Sequence, residues 1–258
     1  MTNIAVAIKV SPMDYEPGRM ILEQQVLFKL RGCHHVPQFI ASGTHGNYFY
    51  IMMEILGRNL SDLKKRSENK KFSPGTVLRV GQQMILGIKA IHDIGYLHRD
   101  IKPSNMCIGL GGMNKRIIYI VDFGMTRQYR HDKHGGFRRE RSYAAFRGTM
   151  RYASIRAHER KEQGPADDFW SLYYTLIELV EGSLPWKSLS VSDEIRKLKE
   201  DLTFQEMCKS LPKSFENFPH HLEELQYGQL PNYSLLSSIL QKALPDDVTS
   251  ETPFDWEE

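Results

Sequence analysis

Three cysteines in 258 residues, Cys33, Cys107 and Cys208, are too few and too irregularly spaced for a disulfide framework or a cysteine-based zinc site. They read as reduced thiols of a cytoplasmic protein, one also compatible with the nucleus. No apolar run approaches the roughly 20 residues that span a bilayer. The N-terminus also lacks the basic-then-apolar layout of a signal peptide, so no membrane partner is expected. Excess charge of one sign is scarce as well, and a net +3 does not by itself mark a nucleic-acid binder. There is no repeat, low-complexity tract or long linker. Histidine is present tenfold, but the pairs His34-His35 and His220-His221 lack a nearby cysteine or Glu-x-x-His partner and read as surface loops. Glycine is missing from everything before Gly18. What remains, 41% hydrophobic and 25% charged residues, suits one large domain or a two-lobed one.

The coarse order of elements is mixed at first and helical afterwards. Ile4 to Val10 reads as a strand, broken by Pro12 and Pro17-Gly18, and Arg19 to Leu30 follows helical spacing. Phe39 to Ser42 and Tyr48 to Met53 suggest two more strands, and Glu54 to Gly57 a hinge. Ser73-Pro74 is a capped helix start, and Val77, Val80, Met84, Ile88 and Ile91 carry its apolar stripe to Gly95. Ile117 to Val121 is a short buried strand. Asp168 to Val180 is apolar nearly all round, the mark of a buried helix. The last fourteen residues hold six acids and no Lys or Arg, which predicts a solvated, loosely held tail.

Two motifs carry the chemistry. His98-Arg99-Asp100-Ile101-Lys102-Pro103-Ser104-Asn105 is followed, 17 positions after Asn105, by Asp122-Phe123-Gly124. A lone Asp-Phe-Gly usually marks a turn. The ordered pair supplies what phosphoryl transfer from ATP requires: a carboxylate for the acceptor hydroxyl (Asp100), a cation for the moving phosphoryl group (Lys102), and oxygen ligands for Mg²⁺ (Asn105 and Asp122).

The neighbouring residues resemble those of a known family. Val6-Ala7-Ile8-Lys9 is similar to the kinase strand whose lysine holds the α- and β-phosphates, and Glu23 sits where the kinase αC helix places its partner. Gly57-Arg58-Asn59-Leu60, the run from Phe146 to Ser154 and Leu184-Pro185-Trp186 resemble the casein kinase 1 superfamily. Asp122 to Tyr129 and Pro253-Phe254-Asp255-Trp256-Glu257 look most like its tau-tubulin kinase branch and nematode relatives. The resemblance implies an α+β, two-lobed protein-kinase fold. Residues 1–56 would form a partial N-lobe and residues 57–258 a mainly helical C-lobe ending in the acidic tail. It further implies a serine/threonine kinase using ATP and Mg²⁺. Thr149 would bond Asp100 and Lys102, and Asp168 would anchor the catalytic loop. Met53 would guard the rear of the adenine pocket, with backbone bonds from Glu54 and Leu56 and packing from Ala7 and Ile55.

Arg127 to Arg151 contains eight Lys or Arg and two acids, a balance of +6. By the resemblance this is the activation segment, which implies protein substrates with Ser/Thr near acidic or phosphorylated residues. Arg151 and Lys197 would form the anion site, while nothing supplies the aromatic platform of a nucleic-acid binder. The chain departs from the family in beginning at the lysine strand, without Gly-x-Gly-x-x-Gly. That predicts an incomplete N-lobe, either from a truncated product or gene model or from loss of the phosphate cover. Where the family pattern closes the segment with Ala-Pro-Glu, this chain has Ser154-Ile155-Arg156, as casein kinase 1 relatives do. A pseudokinase binding partners through the basic segment is the rival reading.

Overall fold

The computed structural model describes residues 5–131 and 135–257. Strands β1 (Val6–Pro12), β2 (Phe39–His45) and β3 (Tyr48–Glu54) form an antiparallel sheet in the order β1-β3-β2. Ala7 lies opposite Met53, and Lys9 opposite Ile51. Helix α1 (Pro17–Lys29) connects β1 to β2 and buries Met20, Glu23, Val26 and Leu27. The expected strand began at Ile4, which lies outside the described residues. β2 runs past the expected Ser42 because Thr44 and His45 still pair with Phe49 and Tyr48. Ile8 and Val10 are 57% and 56% exposed, on an edge strand that pairs with β3 and with no further described strand.

The remainder is helical. Asn59 caps α2 (Leu60–Arg66) by accepting from Asp62 N at 2.9 Å. Ser73 caps α3 (Pro74–Asp93), and Val77, Val80, Met84, Ile88 and Ile91 are all buried, as their spacing predicts. Two short ribbons then hold the loops between α3 and the helices below. β4 (Tyr96–Leu97) pairs with β7 (Arg127–Gln128), and β5 (Met106–Ile108) pairs with β6 (Ile118–Ile120). After α4 (Ile155–His158) comes α5 (Pro165–Glu181), whose Phe169, Leu172, Leu176 and Leu179 lie in the core. Around it stand α6 (Ser192–Asp201), α7 (Phe204–Met207), α8 (Asn217–Glu223) and α9 (Tyr233–Ala243). Among the described residues no helix is long and apolar enough to cross a membrane.

Two expectations fail, the second in part. The acidic tail is fastened, not loose. Asp255 accepts from Ser73 N at 2.6 Å, Ser73 Oγ at 2.7 Å and Thr76 Oγ1 at 2.9 Å, so its charge caps the start of α3. Phe254 is buried, stacked on Trp256 with centroids 4.6 Å apart and covered by the Arg79 guanidinium at 3.9 Å. Glu257 pairs with Arg116 at 2.9 Å. Asp255 and Glu257 have specific partners, which composition does not reveal. The first histidine pair fits a surface loop only in part, for His34 is exposed in a turn and His35 is not. His35 is buried with Nδ1 3.0 Å from Ile118 O, because its own carbonyl accepts from Ile120 N and ties this turn to β6.

Candidate active site

Lys9 stands on β1 facing α1. Its Nζ lies 2.9 and 2.7 Å from the two Glu23 carboxylate oxygens and 2.9 Å from Asp122 Oδ1. Burial opposes the Lys9 ammonium, but Glu23 and Asp122 outweigh it and raise its pKa. Burial likewise opposes the Asp122 carboxylate, and Lys9 overcomes that to hold it below its ordinary value. Burial pushes the Glu23 carboxyl up while Lys9 pulls it down; with both oxygens bonded to the ammonium, the geometry holds an ion pair. Beside this triad lies a cavity of about 280 Å³ lined by Lys9, Tyr15, Arg19, Glu23, Asp122 and Gly124, among others.

The loop carrying the second cluster is pinned from below. Asp168, buried at the start of α5, accepts from His98 N and Arg99 N at 2.8 Å each and bonds His92 Nε2 at 3.0 Å. Burial alone would raise this carboxyl, yet its bonds to His92 and His98 hold it below the ordinary value. Pinned this way, Arg99 adopts φ 65°, and Asp122 in the following loop adopts φ 67°, conformations that L side chains rarely take. His98 Nε2 reaches Val121 O at 3.2 Å, and Arg99 Nε donates to Met125 O at 2.7 Å, so each residue links one loop to the other.

Above the anchor, four side chains converge. Thr149 Oγ1 donates to Asp100 Oδ1 at 2.8 Å and accepts from Lys102 Nζ at 2.9 Å. Lys102 Nζ also lies 2.7 Å from Asp100 Oδ2. Asn105 Nδ2 donates to Asp100 O at 2.9 Å and to its Oδ2 at 3.1 Å. The approach of Thr149 depends on Gly148 at φ 99°, where a Cβ would sit 2.3 Å from Arg99 O.

The remaining expected residues are placed less compactly. Residues 55–58 lack regular structure and join β3 to the helical part. Glu54 N is already donated to Gln38 O at 2.9 Å, which leaves its carbonyl for a base. Ala7 and Met53 face one another, half-buried, across β1 and β3, and Leu56 is half-buried beside them in sequence. Arg151 is half-buried, with its guanidinium 3.5 Å from Lys187 O. Lys197 lies on the exposed side of α6, and no hydrogen bond among the described residues joins it to Arg151. Asp132 and Lys133 of the basic run lie outside the described residues.

Sequence reasoning missed Glu162. Buried, it accepts from Arg127 Nε at 2.8 Å and pairs closely with Arg141, so two of the eight basic residues share one internal carboxylate. Burial would raise its pKa, but Arg141 and Arg127 hold it down. Arg156, just beyond the run, pairs with the run's own Glu140 at 2.7 Å. His92, which braces Asp168 and bonds Tyr233 OH at 3.0 Å through Nδ1, was also missed, although its place after Ile88 and Ile91 on the buried stripe was a usable signal.

The donor set fits a nucleotide with a divalent metal. Asn105 spends its amide nitrogen inside the loop, which leaves its carbonyl oxygen, and Asp122 keeps a half-exposed carboxylate on the cavity. Among the described residues no group of three His, Cys, Asp or Glu could hold a metal unaided. Two protein oxygens completed by phosphate and water are the coordination expected of Mg²⁺.

The comparisons with known proteins agree with this geometry. The protein kinase domain family matches residues 1–250. A Dictyostelium discoideum protein named "Probable serine/threonine-protein kinase" is 44% identical over 258 residues, covering 100% of this chain and 52% of the relative. Casein kinase I homolog 3 of Schizosaccharomyces pombe is 31% identical over 264 residues, 99% of this chain and 60% of the relative. A Caenorhabditis elegans protein named an inactive tau-tubulin kinase is 35% identical over 249 residues, 92% of this chain and 86% of the relative. The chain thus spans little more than half the length of the first two. It belongs to the protein kinase family. Its relatives within that family carry casein kinase I and tau-tubulin kinase names.

Proposed function

We propose that the chain is a serine/threonine protein kinase that moves the γ-phosphate of ATP to a protein hydroxyl, with Glu54 to Gly57 as the hinge between its two lobes. The observation that carries this is the convergence of Asp100, Lys102, Asn105 and Thr149 on one point, with Lys9, Glu23 and Asp122 on a second. Lys9, held by Glu23, binds the α- and β-phosphates. Asn105 and Asp122 hold Mg²⁺, which when bound neutralises phosphate oxygens. Asp100 orients the acceptor hydroxyl and takes its proton, while Lys102 balances charge on the transferred group. Asp100→Asn should abolish turnover and spare nucleotide affinity, since this carboxylate meets the acceptor. Asp122→Asn should weaken Mg²⁺-dependent nucleotide binding as well. Turnover and nucleotide titrations on both variants check this, and unchanged turnover in Asp100→Asn removes Asp100 from its role.

The substrate class we propose is acidic or already phosphorylated peptide. Arg147 is exposed, and Arg151 is half-buried at the end of the same loop, with Lys197 as a further candidate. Phosphorylated and unphosphorylated versions of one Ser peptide, compared at low and high salt, test it. The preference should shrink with salt, because exposed charges are screened beyond about 8–10 Å at 0.1–0.15 M. Equal rates at low salt would sink it. A non-catalytic scaffold remains the second reading, favoured by the relative named inactive. A folded chain that binds a basic-segment partner and never turns over would select it.

A further inference from the structure

Helix α6 is mostly charged, and its outward lysine is Lys197. Lys199, two residues on, points the other way and is only 6% exposed. Its Nζ donates to Met150 O at 3.1 Å and Ala153 O at 2.6 Å and meets His158 Nε2 at 3.2 Å. The same atom lies 4.5 Å from the centroid of Tyr174 and 5.1 Å from that of Trp186. No carboxylate pairs with it among the described residues, and burial lowers its pKa well below the ordinary value. A buried ammonium without a counter-ion is costly unless all three N–H groups are used, and here each has an acceptor. His158 is suited to accept. Its Nδ1 is 2.8 Å from Ser192 Oγ, and burial together with Lys199 pushes its pKa down to about 4, so the ring is neutral near pH 7.

What Lys199 holds matters more than how it is buried. Residues 149–153 form a tight turn, with Tyr152 N and Ala153 N both donating to Thr149 O at 3.0 and 3.2 Å. Lys199 takes the carbonyls of Met150 and Ala153, and Trp186 Nε1 takes that of Arg151 at 2.9 Å. Thr149, at the head of the turn, is the residue that joins Asp100 to Lys102. A turn clamped at its carbonyl end cannot slide relative to the catalytic loop.

We infer that Lys199 is a positioning residue: it clamps the turn 149–153 from below and so fixes where a peptide lies relative to Asp100 and Lys102. The catalytic half of this statement rests on the kinase reading above; the clamp itself does not. A lysine that merely filled space between two aromatic rings would be replaceable by any apolar side chain of similar length.

Lys199→Met keeps the length and the ring packing and removes the three donors. Amide hydrogen exchange followed by mass spectrometry should show residues 149–154 exchanging at least tenfold faster, with α3 and α5 unchanged. In the kinase assay the peptide KM should rise about tenfold while the KM for ATP stays put, and Lys199→Arg should recover part of both effects. Faster exchange spread evenly over α3 and α5, or an unchanged peptide KM, would overturn the inference and leave a packing role. Should Lys199→Met fail to fold, His158→Ala removes one acceptor and must loosen the same six residues; no local change there is equally fatal. Exchange is read without turnover, so an inactive parent protein would defeat the kinase reading while the clamp stood or fell on its own.

Discussion

Asp167 and Asp168 are neighbours on the first turn of α5, both enclosed, and their carboxyls behave oppositely. Asp168 has the hydrogen bonds of His92, His98 and Arg99 to hold its charge. Asp167 has the Ser154 hydroxyl and Gly164 N, and burial wins, lifting it from 3.8 to about 6. A raised carboxyl means that the native state keeps a proton the unfolded chain releases, so its contribution is present below about pH 4 and falls away as pH rises to about 6. The fall is at most about 3 kcal/mol. Asp167→Asn cannot titrate and should lack it. Urea unfolding of both proteins between about pH 4.5 and 7 should show the wild type losing stability relative to the variant. A difference constant with pH would contradict the assignment. Gly148 gives a second test at this scale. Gly148→Ala drives a Cβ to 2.3 Å from Arg99 O. Turnover should drop by at least about a hundredfold, as when a positioning contact is displaced by an ångström, and the thermal unfolding midpoint should fall with it, because an alanine at φ 99° against a backbone oxygen is strained.

At the scale of elements, sequence spacing was a reliable guide wherever one face is buried. The stripe from Val77 to Ile91 on α3 and the apolar wrap of α5 lie in the core as their patterns indicate. Ion pairs between distant residues were legible only when a motif named both members, as with Lys9 and Glu23, and Glu162 had no motif to announce it. The C-terminal segment was misread because acidic composition predicts solvation, whereas Asp255 and Glu257 each meet a specific donor. That segment should therefore contribute to stability. Phe254→Ala removes a buried ring and should cost about 3 kcal/mol. Asp255→Ala removes the charge at the start of α3 and should cost about 1 kcal/mol. Denaturant unfolding of each variant measures both, and two neutral results would restore the loosely held tail.

For the whole molecule the open question is the upper sheet. β1 lies on its edge with Ile8 and Val10 exposed, and Lys9, on the same strand, must hold nucleotide phosphates if the chain is a kinase. Kinases cover those phosphates with a glycine-rich hairpin whose backbone N–H groups point at them, and the sequence has no glycine before Gly18. Loss of even one aligned donor in such a site costs about 3 kcal/mol of transition-state stabilisation, roughly a hundredfold in rate. A polypeptide of these 258 residues should accordingly turn over slowly, with β1 exchanging its amides faster than β3 because no strand among the described residues pairs its outer edge. Joining roughly 25–30 residues of glycine-rich hairpin from a relative to its N-terminus should raise turnover by at least that hundredfold and slow exchange along β1. The two polypeptides are to be assayed side by side, each with its Asp100→Asn counterpart as the blank. Equal rates would mean that Lys9, Glu23 and Asp122 hold the phosphates without a cover. If both fold, both bind nucleotide and neither turns over, the catalytic cluster around Asp100 serves a scaffold and the kinase reading falls.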